Sequence, residues 1–123
     1  MARALRLQFE DALYHVCARG NRRESIYRGD KDYARFEDVL AESLTRYQVE
    51  LHAYVFIGNH FHLLARTPKP NLSRWMQWLI TSYSVWFNRR HRLSGRVFQG
   101  RFKAFLVQEG EFGVTSIHLT FRR

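Results

Sequence analysis

His60 and His62 are the residues whose type and spacing most readily do chemistry. They bracket Phe61 in HFHLLAR (60–66), a run with strand character. The two-residue period of a strand sends both imidazoles to one side and Phe61 to the other, toward a core. Two neighbouring imidazoles can share one divalent ion. The same spacing also suits ordinary solvated or hydrogen-bonded strand histidines, so the pair alone leaves both readings open.

A second set of candidates is cationic. The chain carries 20 Lys and Arg against 11 Asp and Glu, a formal charge of +9. Lysine stands only at 31, 69 and 103, so arginine carries the surplus, and its planar guanidinium both pairs with phosphate oxygens and stacks on bases. Arg19, Arg22 and Arg23 follow the first strand-like segment, and Arg89, Arg90, Arg92, Arg96 and Arg101 crowd the stretch 89–101. Both groups are candidates for DNA backbone contacts, the alternative being a solvated charged surface. The balance points to nucleic acid before membranes, because no basic amphipathic helix or lipidation signal accompanies it.

Composition bounds the rest. A chain of 123 residues suits one domain with one core, and 46% hydrophobic residues can fold it. A single cysteine, Cys17, excludes an internal disulfide and a zinc site built on paired thiolates. No apolar window suits a signal peptide or a membrane span, so a cytoplasmic location is expected.

The elements that must position these groups follow from periodicity. Residues 12–19 read as a strand with Leu13, His15 and Cys17 on one face and Tyr14, Val16 and Ala18 on the other, stopped by Gly20 and Asn21. Asp30 is placed to cap a helix reaching about Tyr47, with a stripe of Tyr33, Phe36, Leu40, Leu44 and Tyr47. Residues 49–57 and 60–66 form a hairpin about Gly58 and Asn59. Asn71 or Ser73 then caps a second helix carrying Leu72, Trp75, Met76, Leu79, Tyr83, Trp86 and Phe87. That stripe ends at 88–90, where an irregular basic loop leads to Arg101. A last strand is expected over 103–108 and a short terminal helix over 111–119. Strand, helix, strand, strand, helix, strand is the order of a ferredoxin-like α+β fold, with one antiparallel sheet, helices on one face and the other face free to bind.

Three segments, ALYHVCARGNRRESIYR (12–28), LHAYVFIGNHFHLLARTP (51–68) and WFNRRHRLSGRVFQGRFKA (86–104), together resemble the REP-associated tyrosine transposases. These are a branch of the single-tyrosine HUH transposases, and the resemblance runs over about residues 1–107. It implies a single HUH transposase-like domain over 1–123 that recognises hairpin or single-stranded DNA and nicks it using Mg²⁺ or Mn²⁺. His60 and His62, with a third polar side chain, would hold the ion on the scissile phosphate. A tyrosine from a C-terminal helix would attack to form a phosphotyrosine bond. Imidazole ligands favour Mn²⁺ somewhat over Mg²⁺. Relatives include both monomers and dimers, so the resemblance leaves the choice between monomer and homodimer open.

At its end the chain departs from that pattern. Where relatives carry S-R-Y-I-H-L-N-P, this chain reads TSIHLTF (115–121), with Ser116 at the tyrosine position and Thr120 at the asparagine position. The catalytic helix is also about one turn short, which implies that nicking is weakened or lost. Serine is a poor nucleophile without a base, and His118 at i+2 on a helix faces away from it. Tyr27, in a loop, stays open as a substitute nucleophile, whereas Tyr83 belongs to a core stripe. Phe98 and Trp86 are the aromatics considered for stacking on unpaired bases. The alternative function is a non-enzymatic DNA- or RNA-binding ferredoxin-like module using its open sheet.

Overall fold

The computed structural model describes residues 9–107 and the backbone of residues 120–122. Alternation builds its sheet. In β1 (Ala12–Arg19), Tyr14, Val16 and Ala18 are buried, while His15 and Cys17 keep partial exposure. In β3 (His60–Thr67), Phe61, Leu63, Ala65 and Thr67 are buried and His60, His62, Leu64 and Arg66 alternate with them on the other side. β2 (Glu50–Ile57) pairs antiparallel with β3, and β3 pairs antiparallel with β1. β4 (Lys103–Val107) adds antiparallel to the far edge of β1.

The result is the expected ferredoxin-like arrangement, antiparallel in the order β4-β1-β3-β2, extended by β5 (Thr120–Arg122), which runs parallel to β2. β5 was not anticipated, since three residues carry no readable period. Thr120 opens this strand. The terminal helix expected over 111–119, with Ser116 and His118 on it, lies outside the described residues.

Both helices pack on the buried face of the sheet. α1 (Asp30–Tyr47) contributes Tyr33, Phe36, Val39 and Leu40, and α2 (Leu72–His91) contributes Trp75, Met76, Leu79, Tyr83 and Phe87. Phe36 stands edge-on to both Phe56 (4.9 Å) and Tyr83 (5.0 Å), the arrangement ring quadrupoles favour. Trp75 is fully buried, and its indole N–H donates to Ser43 Oγ at 2.8 Å, so the core leaves that donor satisfied.

The helix boundaries correct several expectations. Asp30 does not cap α1. Gly29 precedes the helix with no side-chain cap, and Asp32 instead reaches back so that its Oδ2 accepts the Arg28 backbone N–H at 2.8 Å. Asn71 stands at the α2 N-cap position, but its amide donates to Tyr47 O at 2.9 Å rather than capping. α2 runs to His91, so Arg89, Arg90 and His91 lie in its last turn and not in the basic loop. There they complement the negative end of the helix dipole.

Asp32, 1% exposed, ties the two helices together. His91 Nε2 donates to its Oδ2 at 2.7 Å, and Arg90 Nε lies 3.2 Å from Oδ1 as an ion contact. Among the described residues, no helix is long and apolar enough to cross a membrane.

Candidate functional site

His60 and His62 project together from β3 onto the open face of the sheet, as their spacing predicts. Their ring centroids are 5.0 Å apart with the planes nearly perpendicular. His60 Nδ1 lies 2.7 Å from Asn59 Oδ1, and Asn59 Nδ2 donates to Arg23 O at 3.2 Å. That second bond turns the amide oxygen toward His60. An amide oxygen only accepts, so His60 carries a proton on Nδ1, and in its neutral form the ring has its lone pair on Nε2.

His62 has a partner of the same kind. Its Nδ1 is 2.9 Å from Nε2 of His15 on the neighbouring strand, and the two rings stack at 5.1 Å. When the shared proton sits on His62 Nδ1, His62 also presents an unprotonated Nε2. Burial, followed by the neighbouring charges of His15 and His60, holds the His62 pKa below the usual histidine value, which favours the neutral, ligand-competent ring.

The scaffold behind this pair is the turn at Gly58 and Asn59. Ile26 N donates to Gly58 O at 2.8 Å, Ser25 Oγ to the same oxygen at 2.9 Å, and Gly20 N to Asn59 O at 2.7 Å. Ile26 O in turn accepts the Tyr83 hydroxyl from α2. Arg22 and Arg23 both take left-handed backbone angles (φ 56° and 58°), a conformation that costs energy in non-glycine residues. The strained turn delivers the Arg23 carbonyl to Asn59.

A cavity of about 320 Å³ opens beside the pair, lined by Cys17, Ala18, Arg19, His60, His62, Gln99, Arg101 and Lys103. Backbone bonds bring the basic loop to it. Asn21 N donates to Val97 O and Gln99 N to Arg19 O, each at 2.8 Å, which pins 97–99 against the end of β1. Arg19, Arg101 and Lys103 are exposed and make no ion pair among the described residues. Three uncompensated cations therefore lie beside the two imidazoles.

This donor set fits a divalent ion such as Mn²⁺ in part. With each neutral ring protonated on Nδ1, each Nε2 offers a lone pair, and each Nδ1 is engaged by a neighbouring side chain that orients the ring. Among the described residues no group of three or more His, Cys, Asp and Glu side chains is placed to hold a metal.

The remaining candidates scatter. Arg22, Arg23, Arg92 and Arg96 are exposed in the connectors, outside the cavity lining. Arg89 is exposed on α2, whereas Arg90 serves Asp32 and lies over the Trp86 ring. Tyr27 is not an available nucleophile. It is 4% exposed and stacked on Tyr33 at 4.3 Å, and burial first of all raises its pKa well above the phenol range. All six tyrosines are buried in the core or packed against it, and none lines the cavity. Phe98 is buried at 5% exposure and is not placed to stack on a base, and Trp86 packs half-buried against the core with Arg90 over its ring.

A family model described as "Transposase IS200 like" matches residues 8–117, well over half of the sequence. This chain belongs to that family. The fold of this IS200-like transposase chain is also similar to two solved structures. One is the structure of a REP-associated tyrosine transposase bound to a REP hairpin, at 16% identity and a TM-score of 0.72. The match covers 91% of this chain and 66% of that one, so this chain spans just under two thirds of that relative's length. The other is the crystal structure of a candidate transposase from Deinococcus radiodurans, at 17% identity and a TM-score of 0.65, covering 88% of each chain. At such identities the likeness speaks for the fold. No curated protein matches the chain.

Sequence reasoning missed several contributors to the site in this IS200-like chain. In the sequence Asn59 carries only a turn signal, and His15 only a position on the same strand face as Cys17. Strand parity did place His15 and Cys17 on the open face. What it lacked was the β1–β3 register, which sets Cys17 opposite His62.

Proposed function

We infer that this chain is a transposase-like HUH domain that binds hairpin or single-stranded DNA on its open sheet face. The observation that carries this is the His60 and His62 pair, each held by a fixed outer partner, beside the uncompensated cations Arg19, Arg101 and Lys103. The family membership and the hairpin-bound structural relative support the choice of partner.

In this reading the arginines and Lys103 hold phosphate oxygens, and His60 and His62 would hold Mn²⁺ or Mg²⁺ beside them. The ion, when bound, offsets negative charge on the phosphate. Asn59 and His15 keep the imidazoles in the ligand-competent tautomer. Arg22, Arg23, Arg89, Arg92 and Arg96 extend the positive surface along the flanking DNA, adding salt-dependent affinity without base selectivity. The domain spans 1–123, acts in the cytoplasm where DNA is available, and works as a monomer or a homodimer.

In this reading the chain lacks the tyrosine nucleophile that the family's metal-dependent nicking and strand transfer uses. Ser116 replaces the expected nucleophile, and no tyrosine lines the cavity to substitute for it. The test is a labelled hairpin oligonucleotide with a single-stranded flank, incubated with the protein and Mn²⁺. The reading expects a shift in anisotropy and no covalent protein–DNA band on a denaturing gel. A covalent band would overturn the loss of nicking, and an absence of binding would overturn the function itself.

A further inference from the structure

Among the described residues, the open face carries a large exposed aromatic that the proposed function does not use. Phe105 on β4 is 55% exposed, although it lies in regular sheet and directly opposite His15 in the β1–β4 register. Its ring sits 5.8 Å from the His15 ring at a tilt of 30°, and His15 stacks in turn on His62. Three rings thus step across three strands from the sheet edge to the histidine pair. Lys103, two residues earlier on the same strand and therefore on the same face, lines the histidine cavity.

We propose that Phe105 is a stacking platform for an unpaired nucleobase lying next to the phosphate held at His60 and His62. This rests on the proposed DNA-binding function and names how that surface selects single strands. A flat ring left exposed on a rigid strand carries an energetic liability in water that a base would remove. A base within a duplex is already stacked and gains nothing there, whereas any unpaired base presents a free π face. The adjacent Lys103, Arg101 and Arg19 fit the phosphates on either side of such a base, which argues for a polyanionic occupant over an apolar one. Phe105 replaces Phe98 and Trp86 in this role because Phe98 is buried and Trp86 lies on α2, which packs on the other face of the sheet.

The probe is a hairpin oligonucleotide whose single-stranded flank contains 2-aminopurine, with a fully paired duplex of equal length as control. Anisotropy gives affinity, and 2-aminopurine quenching reports stacking. Phe105→Ala is expected to weaken binding of the flanked hairpin about tenfold or more and to abolish quenching, with duplex affinity unchanged. Phe105→Trp is expected to retain both affinity and quenching. The exposed position leaves melting temperature as a clean check that the variants fold.

Unchanged affinity in Phe105→Ala, or an equal loss on duplex, overturns the platform while leaving DNA binding by the wild-type chain intact. A change of sedimentation coefficient in Phe105→Ala without loss of DNA affinity assigns the ring to contacts between copies of the chain, and also overturns it. A wild-type chain that binds neither oligonucleotide overturns the platform and the proposed function together.

Discussion

Asn59 presents its amide oxygen to His60 Nδ1 at 2.7 Å because its nitrogen is already committed to Arg23 O. A residue that reads as turn chemistry therefore sets the proton position on a candidate ligand. Replacing it by alanine removes the orienting acceptor and keeps the hairpin. Asn59→Ala is expected to weaken Mn²⁺ binding about tenfold, measured by titration with the free-ion EPR signal. Stability should fall by only about 1 kcal/mol, because the lost bonds are exposed or partly buried. Unchanged Mn²⁺ affinity would show that Asn59 has no hold on the imidazole.

The depressed pKa of His62 makes a prediction about acid. The unfolded chain's imidazole takes its proton near the ordinary value of about 6.5, while the native ring resists until lower pH. Between those two values the unfolded state binds more protons, so stability falls as pH drops through that window and levels off below the native pKa. Urea unfolding from about pH 8 to about pH 5 should show a steeper decline for the wild type than for His62→Gln. Parallel curves would mean that His62 titrates as an ordinary histidine.

Gly20 is a position where only the absence of a side chain fits. A Cβ there would meet Glu24 O at 2.1 Å, and the residue's N–H holds Asn59 O. Gly20→Ala should cost about 1–3 kcal/mol in chemical denaturation, since backbone must move. At Gly58 a Cβ meets nothing within 4 Å, so Gly58→Ala is the matched control and should be nearly neutral. Equal effects would place the strain elsewhere.

The Asp32 clamp joins the start of α1 to the end of α2. Asp32→Ala removes a buried acceptor from the Arg28 amide and His91 and is expected to cost about 2–3 kcal/mol. Asp38→Ala, exposed on the same helix, should stay within about 0.5 kcal/mol of wild type. Similar losses for both would remove the special standing of the clamp.

Much of the fold was legible because its periods are strong. The alternation in HFHLLAR and the three- and four-residue stripes of both helices mark residues that are buried or, at Leu44, Tyr47 and Trp86, packed half-buried against the core. The end of α2 was misread because its last turn holds Asn88, Arg89, Arg90 and His91, whose stability comes from the helix dipole and Asp32 rather than from an apolar stripe. Asp32 itself was invisible, since a buried acid looks like any other first-turn acid in sequence. The pairing of His60 and His62 followed from parity alone. Their partners did not, because Asn59 acts through a carbonyl displaced from it by 36 positions and His15 through strand register. Phe105 escaped notice for a related reason: exposure on an edge strand leaves no mark on a hydrophobic pattern.

The proposed function stands on His60 and His62 forming one ligand pair on the open face. Its most direct measurement is a crystal of this chain soaked in Mn²⁺ and recorded at a wavelength where manganese scatters anomalously. An anomalous peak within bonding distance of Nε2 on both rings is the predicted result. A crystal in which manganese binds elsewhere and leaves both imidazoles without a peak between them would contradict it.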